Sequence, residues 1–233
     1  MNTRNVVVVD LETAAFIPQV LFDKMVAKAQ SKVKREVIKS ANPKQTTLDR
    51  VEKDYQEKLA NISTEIIDRA ALSPRTGRIV AAGIAIKPKG GKWSFSAEVA
   101  QEPEDEAKLL VHIDSMMMEH DDPLLVTFNG RRFDVPFIGA RAMVNNLELE
   151  WPMPYGYAKA QHVDLMDYFP DGGLEDWCLV MGGKNASKVL ADGGAGVKAL
   201  VDAGDWETLR AYARDDAMKT AALWERVQKA VRW

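Results

Sequence analysis

The 233-residue chain carries one cysteine, Cys178. A lone thiol excludes an internal disulfide and a thiolate metal cluster. Histidine is scarce as well, and His112, His120 and His162 show no zinc-ligand spacing. No apolar run approaches the roughly 20 residues that span a bilayer; runs such as Val6–Val9 and Ile79–Ile86 are far shorter. The N-terminus lacks the basic, apolar, then small-residue layout of a secretory signal. These absences predict a cytoplasmic protein without a membrane partner. Positive charge is in no excess, with 31 Lys and Arg against 34 Asp and Glu and a formal net charge of −3. That balance speaks against a strongly basic binder of duplex nucleic acid. It leaves room for acidic metal ligands, which lower the net charge and are offset locally by bound cations.

What remains is the makeup of an ordinary globular protein, 46% hydrophobic and 28% charged. The length suits one core with an elaboration, so a single domain over residues 1–233 is expected. Residues 5–12 read as a buried strand built on four valines. A second strand over 77–87, a Pro-Lys-Gly-Gly turn and a third strand over 93–99 form a hairpin. A helix over 103–119 has Leu109, Leu110, Ile113 and Met117 on one face. A fourth strand over 124–128 leads into a helix over 135–145. Residues 151–157 read as an ordered loop, 163–169 as a short strand or edge segment, and 174–181 as a helix. Gly193-Gly194-Ala195-Gly196 lacks the Gly-Lys-Ser/Thr ending of a phosphate-binding loop and reads as a flexible connection. A long last helix runs over 206–231, starting from Asp205. Between the first two strands lies a charged helical insertion, about 18–74, interrupted at Asn42-Pro43. Strands alternating with helices indicate an α/β sheet domain.

Three short runs carry chemistry. Asp10 and Glu12 sit one residue apart toward the end of the first strand, so both carboxylates point to one side. Two carboxylates that close repel unless a proton or cation intervenes. Taken alone, the pattern is also that of a wet strand end. The second run is Asn129-Gly-Arg-Arg-Phe133-Asp134-Val-Pro-Phe, where strand gives way to helix. Asp134 two residues before Pro136 also suits a helix start, but that leaves Asn129, Phe133 and Phe137 unaccounted for. The third is Tyr212-Ala-Arg-Asp-Asp216, whose spacing of four stacks Tyr212 and Asp216 on one face. Asp216 lies beside the apolar stripe Leu209, Ala213, Ala217, Thr220, Trp224 and is directed toward the sheet, while Asp215 is rotated toward solvent. An inward carboxylate needs a cation or a set of donors. A buried salt bridge would serve, although Arg210 and Arg214 are poorly placed for it.

In order and placement these runs resemble the three exonuclease motifs of the DEDD superfamily, in the branch with tyrosine in the third motif. That branch includes the proofreading domains of family-B DNA polymerases. Position 211 is Ala, where the histidine branch would want His. The resemblance covers about residues 5–224 apart from the insertion, and looks like a stand-alone bacterial or phage type. It implies a ribonuclease H-like mixed sheet flanked by helices, with a helical insertion after the first strand. It also implies a 3′→5′ exonuclease that hydrolyses single-stranded DNA from the 3′ end by a two-metal mechanism.

Residue by residue, the resemblance implies that Asp10 bridges two Mg²⁺ or Mn²⁺ ions. Glu12 and Asp216 would complete the first site, and Asp134 would hold the second ion, partly through water. Such ions sit about 3.5–4 Å apart, and hard oxygen ligands suit them. Tyr212 would orient the attacking water with Glu12, since a phenol with a pKa of about 10 is a poor base at neutral pH. Thr13, Asn129 and Phe133 match positions that contact the single-stranded 3′ end, where an amide bonds sugar or phosphate and a ring stacks on a base. Phe133 suits core packing equally. Lys28, Lys32, Lys34 and Lys39 give the insertion a local positive excess that would suit tracking a strand. A separate polymerase or replication and repair proteins are further expected partners. The competing readings are a 3′→5′ exoribonuclease of the same superfamily and an inactive nucleic-acid-binding relative.

Overall fold

A computed structural model describes residues 4–37, 42–120, 123–151, 161–169, 171–182 and 194–231. The chain divides into two compact units, residues 1–14 with 78–233, and residues 15–77. The first holds a five-stranded mixed sheet with strand order β3-β2-β1-β4-β5. Its strands are β1 (Val6–Ala15), β2 (Gly77–Lys87), β3 (Ser94–Val99), β4 (Leu124–Thr127) and β5 (His162–Asp164). β1 and β4 pair in parallel from Val6↔Leu124 to Val8↔Val126, and β4 and β5 pair in parallel up to Thr127↔Asp164. β2 and β3 form the expected antiparallel hairpin. This is the expected ribonuclease H-like arrangement, an α/β sheet flanked by helices.

Strand alternation divides the core between the two faces of the sheet. Val7, Val9 and Leu11 pack with helix α3 (Asp105–Glu119) and helix α4 (Asp134–Val144), through Leu110, Ile113, Met117, Phe137 and Ile138. Val6 and Val8 pack on the other face with Ala217, Ala221 and Trp224 of helix α7 (Trp206–Ala230). Asp10 and Glu12 continue the Val6–Val8 series, beyond the last β1–β4 pair. Asp205 caps α7 as expected, its carboxylate accepting from Thr208 N at 3.1 Å.

A buried ion pair ties the opposite layer together. Glu106 of α3, 1% exposed, accepts from Arg141 of α4 through both oxygens at 2.8 and 2.6 Å, and from Ile79 N of β2 at 2.7 Å. Bidentate geometry and a third donor satisfy the carboxylate despite its burial. The network fixes α4, and with it Asp134, against the sheet.

Two expectations change. Gly194–Gly196 of the expected flexible connection open helix α6 (Gly194–Ala203), while Gly193 lies outside the described residues. Glycine's cost within a helix, about 1 kcal/mol, is small enough for the packing of Val197 to override. The edge segment is shorter as a strand than 163–169, because Leu165–Asp167 turns into one 3₁₀ turn after β5. Of the expected ordered loop, residues 152–157 lie outside the described residues, as does Lys39. Helix α5 (Leu174–Val180) completes the unit.

The second unit contains helix α1 (Gln19–Gln30) and helix α2 (Gln45–Ala70), separated around Asn42-Pro43 as expected. α1 has no fully buried residue, and α2 buries Val51, Ile62 and Ala70. Surface pairs such as Arg50 with Glu36 and Asp54 decorate the rest. Lys28, Lys32 and Lys34 are exposed.

Gly83 of β2 sets how closely α7 can approach. A Cβ built there would fall 1.9 Å from the Ala213 carbonyl oxygen, a backbone atom that cannot swing away. Gly83→Ala is therefore expected to push α7 outward and cost about 1–3 kcal/mol or more, read as a lower urea midpoint. An unchanged midpoint would show that α7 does not depend on this contact.

Candidate active site

β1, α4 and α7 deliver the motif residues. Asp10, Glu12 and Asp216 each offer a carboxylate oxygen within 4.8 Å of the other two. Asp216, 8% exposed, reaches the strand from α7 because Ala213 and Ala217 let the helix lie close to the sheet. Tyr212, one turn earlier, is 6% exposed, and its hydroxyl bonds the Asp216 carboxylate. Asp134 is the first residue of α4 rather than a capping residue. Its Oδ1 accepts from Leu11 N at 2.9 Å, between Asp10 and Glu12 on β1. It stands outside the tight group of three but close enough to raise both of them electrostatically.

The electrostatics are those of an under-neutralised acidic pocket. Burial, then the neighbouring Asp134, Glu12 and Asp216 carboxylates, holds Asp10 well above the usual carboxylate range. Burial and the Asp216 and Asp134 charges do the same to Glu12. Asp134 is pushed up to about 7, chiefly by burial, against the lowering effect of its bond from Leu11. Asp216 is also raised, mainly by burial. Burial and the Glu12 and Asp216 carboxylates push the Tyr212 phenol above its ordinary value, so it stays protonated at neutral pH.

The cation that faces this cluster is Lys219, which the motif reading overlooked. Its Nζ lies 3.0 Å from Asp216, 2.8 Å from Asp215 and 3.4 Å from Glu175, with the side chain 1% exposed. Burial alone would lower the ammonium pKa, but the bonds to Asp215 and Asp216 outweigh it and leave it raised. Asp215 is thus not turned to solvent; it shares the ammonium. The buried salt bridge sought from Arg210 or Arg214 is supplied one turn later, at i+3 from Asp216 and i+4 from Asp215. One ammonium against four inner carboxylates leaves net negative charge. A compact set of hard oxygen donors with that surplus fits a divalent cation such as Mg²⁺ or Mn²⁺.

The remaining candidates lie on the surrounding surfaces. Thr13 is half-buried on β1, on the opposite strand face from Asp10 and Glu12 by alternation. Asn129 is half-buried in the β4–α4 loop, with φ of 68°. Phe133 is half-buried and packs on Phe137, ring centroids 5.3 Å apart. Arg131 is held by Asp167 at 2.6 Å and by the His162 carbonyl, whereas Arg132 is exposed. Asp164, another residue overlooked from sequence, accepts from Asn129 N at 2.7 Å and Arg131 N at 2.9 Å. Nothing in its surroundings along the chain announces that role. His162, buried against Thr127, has its pKa lowered to about 4 by desolvation and stays neutral.

A ribonuclease H-like sheet carrying a carboxylate cluster at this position defines the class of protein. The chain belongs to the family of predicted 3′→5′ exonucleases related to the exonuclease domain of PolB, which it matches over residues 72–231. That span includes Asp134, Tyr212 and Asp216 and begins after Asp10 and Glu12. A solved structure of the family-B DNA polymerase from the hyperthermophilic archaeon Pyrobaculum calidifontis is similar, with a TM-score of 0.59 and 18% identity. The similarity covers 96% of this chain but 24% of that polymerase, so it speaks to the fold of one part. A search of curated proteins finds no match. No helix among the described residues is long and apolar enough to cross a membrane.

Without divalent ions, a folded Asp134 pKa near 7 against about 3.9 unfolded means that the folded state binds the extra proton. Its stabilising effect is full below about pH 4 and is lost as pH rises through about 7. Wild type and Asp134→Asn should therefore have similar stability near pH 4, with the variant gaining relative to wild type up to pH 8 in EDTA. A constant difference would contradict the shift. Removing the buried ammonium by Lys219→Met should cost about 3–5 kcal/mol in EDTA, as for breaking a buried pair. Urea unfolding reads that loss, and a change under about 1 kcal/mol would mean that Lys219 is not the counter-charge.

Proposed function

We propose that the protein is a metal-dependent exonuclease that removes nucleotides from the 3′ end of single-stranded DNA. The observation that carries the reading is the convergence of Asp10, Glu12 and Asp216 beside Tyr212, in a chain of an exonuclease family. Two divalent ions, Mg²⁺ or Mn²⁺, would supply charge stabilisation for the attacking and leaving oxygens of an in-line phosphodiester displacement. Asp10, Glu12 and Asp216 would hold one ion, and Asp10 with Asp134 the other. Tyr212, kept protonated by burial and adjacent carboxylates, positions the attacking water together with Glu12 and does not act as the base. Thr13, Asn129 and Phe133 meet the single strand, by hydrogen bonds to its backbone and by stacking. DNA is preferred over RNA because the family is related to a DNA polymerase domain, and a separate polymerase or repair proteins would share the same 3′ ends.

The test is a gel assay of 5′-labelled single-stranded DNA, beside RNA of the same sequence, with Mg²⁺, Mn²⁺ or EDTA. The expected result is a ladder shortening from the 3′ end, abolished by EDTA. Asp216→Ala should lower the rate on the order of 10³-fold or more, and Tyr212→Phe about 10- to 100-fold. Faster shortening of the RNA would replace this reading with an exoribonuclease. Binding of either strand without shortening would make the chain an inactive nucleic-acid-binding relative.

A further inference from the structure

Among the described residues, one side chain holds the backbone of the β4–α4 loop from outside it. β4 ends at Thr127, α4 begins at Asp134, and Asn129 between them has φ of 68°, a region that few L residues other than Asn and Asp enter readily. The loop is pressed onto β4, since a Cβ at Gly130 would fall 2.5 Å from the Thr127 side chain. The Asn129 carbonyl is occupied by Arg132 N and Phe133 N, and the Gly130 carbonyl by Val135 N. Two loop N–H groups, those of Asn129 and Arg131, point instead at β5. Asp164 pairs in register with Thr127 and is 3% exposed. Its Oδ1 accepts from Asn129 N at 2.7 Å and from Met166 N at 3.1 Å, and its Oδ2 accepts from Arg131 N at 2.9 Å. Charge-assisted bonds of this kind are short and directional. Among the described residues the Asn129 side-chain amide makes no hydrogen bond, so the loop presents it unspent.

We propose that Asp164 is a positioning residue for substrate: it locks the β4–α4 loop so that the Asn129 amide is aimed at the nucleic-acid strand. This rests on the proposed function, with Asn129 as a strand contact. Asp164 is not one of the clustered carboxylates Asp10, Glu12 and Asp216; it acts through the backbone of Asn129 and Arg131. An asparagine cannot replace it. A carboxamide has one acceptor oxygen, so either Asn129 N and Met166 N or Arg131 N would lose its partner. The loop would then sample conformations in which the amide is misdirected. The consequence falls first on strand binding, because Asp10, Glu12 and Asp216 sit on other elements, and Asp134, which follows the loop and feels the Asp164 charge, is held separately by Leu11 N. Asp167 is the natural control, because among the described residues it holds the Arg131 guanidinium and no loop N–H.

The experiment combines steady-state kinetics on single-stranded DNA in Mn²⁺ with Mn²⁺ binding by calorimetry, for wild type, Asn129→Ala, Asp164→Asn, the double variant and Asp167→Asn. Asp164→Asn should raise KM roughly tenfold, as the loss of a charged hydrogen-bond acceptor does, with much smaller changes in kcat and in Mn²⁺ affinity. The double variant should raise KM no further than the larger single effect, because both changes remove one contact. Asp167→Asn should behave as wild type. An Asn129→Ala effect without an Asp164→Asn effect, or single effects that multiply, would overturn the positioning role and leave the proposed function standing. A wild type that turns over no strand, or an Asn129→Ala variant equal to wild type, would remove the Asn129 contact and this proposal with it. Hydrogen exchange of the wild-type protein needs no variant to fold. The Asn129 and Arg131 amides should be protected like core amides despite lying in a loop, and free exchange at both would also overturn the proposal.

Discussion

The depth at which α7 lies on the sheet is the constraint from which the site follows. At Gly83 the strand backbone and the Ala213 carbonyl are so close that no side chain fits between them. Ala213, Ala217 and Ala221 continue this small-residue contact along the helix. Tyr212 and Asp216 flank the point of closest approach, so the distance between helix and sheet becomes the distance between Asp216 and the β1 carboxylates. A bulkier contact would separate the ligand atoms of Asp10, Glu12 and Asp216 beyond the reach of one ion.

Two buried acidic arrangements in the same unit show what distinguishes a structural carboxylate from a candidate ligand. Glu106 is satisfied, with two bonds from Arg141 and others from Ile79 N and Asn145. Asp10 and Glu12 are also desolvated, yet they face other carboxylates, and their pKa values rise accordingly. Lys219 offsets part of this charge while binding Asp216 through one oxygen. Burial without pairing is unstable for ionised groups. Here it persists because three elements, β1, α4 and α7, are each fixed by apolar packing of their own, and the surplus charge remains available to a cation.

Much of this was legible along the chain. The alternation of Val6, Val8, Asp10 and Glu12 is a local property of a strand, and it put both carboxylates on one side before any packing was known. The same holds for Tyr212 and Asp216, whose spacing of four is set by helix geometry. Lys219 was within reach of the same reasoning, lying three and four residues after Asp216 and Asp215, on the opposite side of them in chain order from Arg210 and Arg214. Asp164 was not within reach. Two of its three backbone bonds, from Asn129 N and Arg131 N, depend on β5 pairing with β4 in a particular register, and no local pattern around His162–Asp164 reveals that pairing.

The amino-acid sequence by itself determined the alternating strands, the amphipathic helices, the charged insertion and the residue types of the three motifs, because each of these depends on near neighbours and on backbone periodicity. The tertiary structure decided which carboxylates share a volume, which one is hydrogen-bonded to Leu11, and which ammonium opposes them. It also turned Gly194–Gly196 from a connection into the first turn of a helix. These outcomes depend on the separation of elements far apart in the chain. That separation is fixed by side-chain volume at contacts such as Gly83 with Ala213, and volume acts only once the layers are packed.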